Sequence, residues 1–329
     1  MSRNLILGVA TLVMLCSSCG EVEPPKQKTS TGGEPVVAEF AEEVDPDTIR
    51  VTGVGLSTPE SVLYDAENDL YLVSNIDGSP ADADGKAFIS RIKPDGTVQE
   101  LKWIDSAKDG TTLNAPKGMA IAADTLYVAD IKSVRLFDRT SGAPKGEIKV
   151  KGATFLNGVA VSTDGTVYVA DTGVKIGKDG FKPTGADAIY RLQGNKAVKM
   201  IKNKKLGGPN GLVVDGDHVW TVTFGSGALL KIDSKGEKVK EISLPKGRLD
   251  GIVKVDDALL ISSWEAQAIY KVSVTDLEKA EQEPQFDILL SELNAPASIG
   301  FDTKRQRVLI PLFEDNALVL QAYTASQQP

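Results

Sequence analysis

The chain reads as an all-β, six-bladed β-propeller. One short pattern recurs six times, each copy is followed by further strand-like segments, and the steps between copies match one four-stranded blade. The pattern is Pro or Leu, a variable residue, Gly or Ser, an apolar run, a turn and a second apolar run. It opens at Pro59-Glu60-Ser61, with 70–73 after the turn, and returns at Pro116-Lys117-Gly118, with 126–130 following. The remaining copies begin at Leu156-Asn157-Gly158, Pro209-Asn210-Gly211, Leu249-Asp250-Gly251 and Pro296-Ala297-Ser298. The variable residue falls at 60, 117, 157, 210, 250 and 297, in steps of 40 to 57 residues.

Within the steps, alternating apolar and polar residues mark third strands at 133–137, 188–192 and 268–272. Fourth strands are marked at 146–150 and 240–244, with Gly, Asp and Asn at the turns. The longer steps hold surface loops at 77–86 and 172–185. Residues 48–56 are strand-like and precede the first copy. They are expected to add the outer strand of the last blade, so that the two ends lock the ring. A β-sandwich of short strands is the competing architecture, but it gives no reason for regular recurrence.

Composition agrees with this reading. The 329 residues are 41% apolar and 25% charged, and 31 glycines supply tight turns. Lys plus Arg total 37 against 45 acids, and no basic run stands out, so no nucleic-acid partner is expected. The domain is read as a monomer.

The N-terminus reads as an export signal. Arg3 precedes an apolar stretch at 5–15, which is too short for a comfortable membrane span. The stretch ends in Leu15-Cys16-Ser17-Ser18-Cys19-Gly20, which resembles a bacterial lipobox with Cys19 as the lipidated residue, although Cys16 stands where Leu is usual. The expected organisation is a lipoprotein signal peptide at 1–18, lipidated Cys19 and a flexible tether at 19–47, the propeller at 48–325, and a tail at 326–329. The protein is thus expected to be exported and held to a membrane by its lipid only. Gly20 rather than Asp after the lipidated residue points to the outer membrane, facing the periplasm or the cell surface. Both cysteines lie in this segment, so the mature domain has no thiol.

In a propeller the residue leading into each innermost strand faces the central channel. Six remote positions therefore converge: Glu60, Lys117, Asn157, Asn210, Asp250 and Ala297. Four of them are hard oxygen donors of the kind Ca²⁺ takes, with waters completing its shell. His218 is the one histidine, read as a surface residue in a turn, so a zinc site on His or Cys is excluded. No catalytic triad signature or phosphate-binding glycine loop is present. Asn157, Asn210 and Asp250 also suit strand-entry turns, because Asn and Asp bond their own backbone there. Glu60 in a narrow channel needs a cation or a donor, and Lys117 is a candidate for that partner. Asn75, Asp130 and Asp171 are assigned to turns at the blade rims.

These residues resemble the senescence-marker-protein/gluconolactonase/luciferin-regenerating-enzyme family of six-bladed propellers over roughly residues 50–325. The resemblance rests on Pro59-Glu60-Ser61-Val62, Leu156-Asn157-Gly158, Pro209-Asn210-Gly211-Leu212 and Leu249-Asp250-Gly251-Ile252. It implies a divalent cation, usually calcium, held by Glu60, Asn210 and Asp250, with Asn157 as the substrate-side amide. It also implies hydrolysis of a lactone or related ester, the cation polarising the carbonyl and Asp250 acting as general base. Lys117 joins the catalytic set as a charge beside the site, able to stabilise an oxyanion or to replace the metal. Phe155 stands where many members carry an Arg that grips sugar hydroxyls, which argues against a sugar lactone. The alternative is a non-catalytic, NHL-type scaffold that binds a ligand or protein at one face.

Overall fold

The computed structural model describes residues 47–178, 180–201, 205–279 and 284–324. The expected signal peptide, Cys19, all of the tether but its last residue, and the 326–329 tail lie outside them. Among the described residues no helix is long and apolar enough to cross a membrane.

Six antiparallel four-stranded sheets follow one another in chain order, which is the six-bladed propeller. Blade 1 runs Pro59–Asp65, Leu70–Asn75, Phe88–Ile92 and Val98–Asp105 from the axis outward. Blade 2 runs Pro116–Ala122, Thr125–Asp130, Ser133–Asp138 and Pro144–Lys149. Blade 3 has Leu156–Val161, Val167–Asp171, Ala188–Gln193 and Lys196–Lys199. Blade 4 has Pro209–Asp215, His218–Thr223, Ala228–Ile232 and Lys238–Ser243. Blade 5 has Leu249–Val255, Ala258–Ser263, Ala268–Ser273 and Asp287–Leu290, with the short helix Val274–Lys279 before its outer strand. Blade 6 takes Gly300–Asp302, Arg307–Leu312 and Ala317–Ala322, and its outer strand is Thr48–Val51, paired antiparallel with Ala317–Ala322. The segment expected to lock the ring does so.

Two expectations need correction. Residues 172–185 do not form a plain loop: Val174–Gly177 and Gly180–Pro183 pair as a hairpin. His218 is not in a turn but opens a strand opposite Asp215 and is half-buried.

The apolar residues form six separate clusters, one between each pair of neighbouring blades. Strand periodicity explains this. In Leu70–Asn75, Tyr71 and Val73 pack towards blade 6 while Leu72 packs towards blade 2. Both faces of the sheet are covered, so the whole strand is buried and alternation fades from its sequence.

The innermost strands meet backbone to backbone. A Cβ built on Gly158 would lie 2.3 Å from the Asn210 carbonyl oxygen, and one on Gly211 would lie 2.5 Å from that of Asp250. Gly118 and Gly251 are confined in the same way by blades 3 and 6. Between blades 6 and 1, Ser298 N–H donates to the Glu60 carbonyl at 2.9 Å, and Val62 N–H donates to Ser298 at 3.2 Å. The Gly of the blade 2 to 5 motifs is therefore a packing requirement, not a turn residue.

Charged clasps reinforce the blade junctions. Arg305 of blade 6 grips Asp69 of blade 1 through two bonds of 2.7 Å, while Tyr71 O–H donates to buried Asp302 at 2.6 Å. Arg139 of blade 2 bonds Asp65 of blade 1. We expect Gly211→Ala to destabilise the fold by roughly 3 kcal/mol through overpacking against backbone that cannot give way. Gly177→Ala, where nothing lies within 4 Å, should be close to neutral; urea unfolding of the two variants checks the contrast.

Candidate functional site

The inner strands of blades 1 to 5 each carry a register shift at the motif. The ladder skips from Pro59 to Ser61, Pro116 to Met119, Leu156 to Val159, Pro209 to Leu212 and Leu249 to Ile252. Such a bulge re-aims the residue inside it, and that residue is Glu60, Lys117, Asn157, Asn210 or Asp250. All five are buried and line one cavity of about 720 Å³. Ala297, the sixth position, is fully buried and contributes no polar side chain.

The approaches to the bulges of blades 1 to 3 are each clamped by the end of a second strand. Asn75 Oδ1 accepts from Ser57 N–H at 3.0 Å, just ahead of Pro59. Asp130 Oδ1 takes the N–H groups of Asn114 and Ala115, and Asp171 takes those of Thr154 and Phe155. These three residues do serve turns, as expected, and the turns are the ones that set the axial side chains.

The axial groups are incompletely bonded. Glu60 Oε2, Asn157 Oδ1, Asn210 Oδ1 and Asp250 Oδ1 are buried without a hydrogen-bond partner, as is Trp264 Nε1. Native interiors rarely tolerate this, so each such atom calls for a ligand or an ion. Asn157 is oriented by its amide, which donates to Thr172 Oγ1 at 3.2 Å, and that hydroxyl donates to the Pro209 carbonyl at 2.9 Å. Lys117 Nζ donates to the carbonyls of Pro80 and Ala115, each at 2.9 Å, and lies 4.4 Å from the centre of the Phe155 ring. No ion pair joins it to Glu60 among the described residues.

Electrostatics follow from this enclosure. Burial, then the nearby Asp250 charge, hold the Glu60 carboxyl well above the usual carboxylate range, with Lys117 opposing more weakly. Burial pushes Asp250 up to about 7. Trp264 and Asn210 sit beside Asp250 and resist that rise, although the indole N–H and Asp250 Oδ1 fall short of full hydrogen-bond geometry. Burial lowers Lys117 to about 8.

The four orphaned oxygens, two from carboxylates and two from amides, form a donor set suited to a hard cation. No cluster of three or more His, Cys, Asp or Glu is present among the described residues, so a cation here would depend on amide oxygens. The set could also hold a protonated or cationic ligand group.

Above the axial groups lies a cup of aromatic rings that sequence reasoning did not single out. Phe224, Trp264 and Phe313 each follow directly on the second strand of blades 4, 5 and 6, the place held by Ile76 in blade 1. The signal was a second repeated position, one residue past each second strand. Phe181 projects from the hairpin that replaced the expected loop.

The fold and axial site define a six-bladed propeller with an acidic and amide-lined channel. Residues 145–250 match the family model of the SMP-30/Gluconolactonase/LRE-like region. No curated protein sequence matches the chain. Among solved structures, a luciferin-regenerating enzyme aligns with a TM-score of 0.61 at 13% identity, covering 84% of this chain and 98% of its own. A streptogramin B lyase aligns at 0.56 and 14% identity, covering 83% and 97%, and virginiamycin B lyase from Staphylococcus aureus at 0.53 and 13%, covering 84% and 99%. At such identities the likeness is one of fold.

Both axial carboxyls have folded-state pKa values raised above their unfolded ones. The contribution of Asp250 to stability is full below about pH 4 and is lost as pH rises through about 7, and that of Glu60 is likewise lost as pH rises. In chelator, melting temperature should therefore fall by roughly 5 °C or more between pH 5 and pH 8. Asp250→Asn should flatten that slope, which differential scanning calorimetry would measure.

Proposed function

We propose that this propeller is a divalent-cation-dependent hydrolase of a lactone or related ester, working in the axial cavity. The observation that carries the reading is the convergence of four buried, unpartnered oxygens from four blades on one space. Glu60, Asn210 and Asp250 would hold the cation, most suitably Ca²⁺. When bound, it would polarise a substrate carbonyl and stabilise charge developing on that oxygen.

The chain's own groups supply the rest. Asp250 takes a proton from the attacking water, and its enclosure keeps its basicity near neutral pH. Asn157, locked through Thr172, leaves its carbonyl oxygen free to position that water or a substrate hydroxyl. Trp264, beside Asp250, favours its charged form and so limits the rise that burial causes. Lys117, held against two backbone carbonyls, places positive charge at the cavity wall without occupying its centre.

Millimolar Ca²⁺ should raise the melting temperature by roughly 5–10 °C when its concentration is about a hundred times Kd. Asn210→Ala should remove most of that rise. Asp250→Ala should remove it and lower kcat/KM for a lactone by a factor on the order of 10² or more. Calorimetry without Ca²⁺ binding would sink the metal reading. The second reading, a ligand-binding propeller without turnover, is favoured by the apolar Ala297 position and by the tethering of Lys117 to backbone. Turnover abolished by chelator would dismiss it.

Within this proposal the domain is exported and anchored through lipidated Cys19, at the outer membrane. Cys19→Ser should move the protein from the detergent phase to the aqueous phase in a Triton X-114 partition.

A further inference from the structure

We propose that the cavity selects a lactone or ester with a flat aromatic body, seated in the cup of rings with its carbonyl towards the axis. The carbonyl end rests on the hydrolase reading above; the aromatic end does not.

The cup is continuous. Phe155 and Phe181 meet edge to face at 6.1 Å between ring centres, Phe181 and Phe224 at 5.7 Å, Phe224 and Trp264 at 5.5 Å, and Trp264 and Phe313 at 5.1 Å. Blades 3 to 6 thus contribute one unbroken arc of π surface to a cavity of about 720 Å³, within the range of roughly 300–1,000 Å³ that small-molecule sites occupy. Rings in this arrangement present both faces and edges to an entering ring.

Phe181 is the informative member. It is 46% exposed, on a hairpin strand exposed along its whole length. Core packing does not require a phenylalanine there. Its neighbours are Phe155 and Phe224, from two different blades, so it closes the arc across the mouth.

Above the axial groups, Thr172, Ser226 and Asp187 of the wall are already engaged, leaving Lys205 and Glu314 as its other polar side chains, which disfavours a polyol body at that level. Thr172 Oγ1 is committed to Pro209 and Asn157, and Ser226 Oγ pairs with Thr223 Oγ1 at 2.7 Å. Asp187 Oδ2 accepts the N–H groups of Leu206 and Gly207. Among the described residues, no arginine lines the cavity. A sugar ring would give up its water at several hydroxyls and find few partners, whereas an aromatic ring loses only unfavourable hydration.

The test uses the intact domain and two kinds of measurement. Coumarin, a planar aromatic lactone, is titrated by calorimetry, with sorbitol as the polyol comparison. Initial rates are compared for dihydrocoumarin and δ-gluconolactone. Coumarin should bind and sorbitol should not. Phe181→Ala and Phe224→Ala should each weaken coumarin binding about tenfold with the melting temperature unchanged. Asp250→Asn should leave coumarin binding within a few-fold while removing turnover, and kcat/KM should favour dihydrocoumarin by a factor of about 100. Absence of coumarin binding, or binding indifferent to both phenylalanine variants, overturns the inference; so does preference for δ-gluconolactone. Ring-dependent coumarin binding without hydrolysis of either lactone would instead refute the hydrolase reading and leave the aromatic ligand class standing.

Discussion

The close approach of the six inner strands around the axis governs the rest of the molecule. Backbone touches backbone at Gly118, Gly158, Gly211 and Gly251, and Ser61 and Ser298 complete the circuit through a parallel bridge. That contact leaves no room for side chains beyond Cα at the glycine positions. The preceding residue, sitting in a bulge, is turned inward instead. One steric constraint therefore both closes the ring and aims five polar side chains at a common space.

Bringing those side chains together is unfavourable in isolation. Two carboxyl groups, two amides and an ammonium lose most of their water, and four of their oxygens gain nothing in return. The rise in the Glu60 and Asp250 pKa values is the local expression of that cost. Six interblade cores and the clasps at Asp69, Asp302 and Asp65 supply stability elsewhere, which allows the centre to remain unsatisfied. Strain of this kind is where a cation or substrate finds its binding energy.

The site is layered. The floor is made by the residues entering the first strands, and the cup by the residues leaving the second strands of blades 4 to 6 together with Phe155 and Phe181 of blade 3. In blades 4 and 5 both layers sit at the same end of one hairpin, where Pro209 pairs with Thr223 and Leu249 with Ser263, so their spacing there is set by strand pairing. The blades have nonetheless diverged: blade 2 offers Lys117, blade 6 offers Ala297, and blade 3 alone grows a hairpin over the opening. A symmetric scaffold thus holds an asymmetric pocket, oxygen-rich on one side and cationic on another.

Much of this was written in the chain. The six recurrences marked the blades, the strand-like 48–56 segment marked the closure, and the residue type at each motif gave the axial inventory. Local patterns suffice for these because a repeat must bury the same faces each time. The cup was hidden, since a single aromatic past the second strand in each of blades 4 to 6 looks like ordinary core until the ends are brought side by side. The hairpin at 174–183 escaped notice for a related reason: its strands are mostly exposed and carry no apolar alternation. Whether Lys117 would neutralise Glu60 also lay beyond sequence. The fold decided it by presenting the carbonyls of Pro80 and Ala115, one from a loop and one from its own strand entry, within 2.9 Å of the amine. Which atoms find partners depends on distances between remote segments, and only the closed ring fixes those.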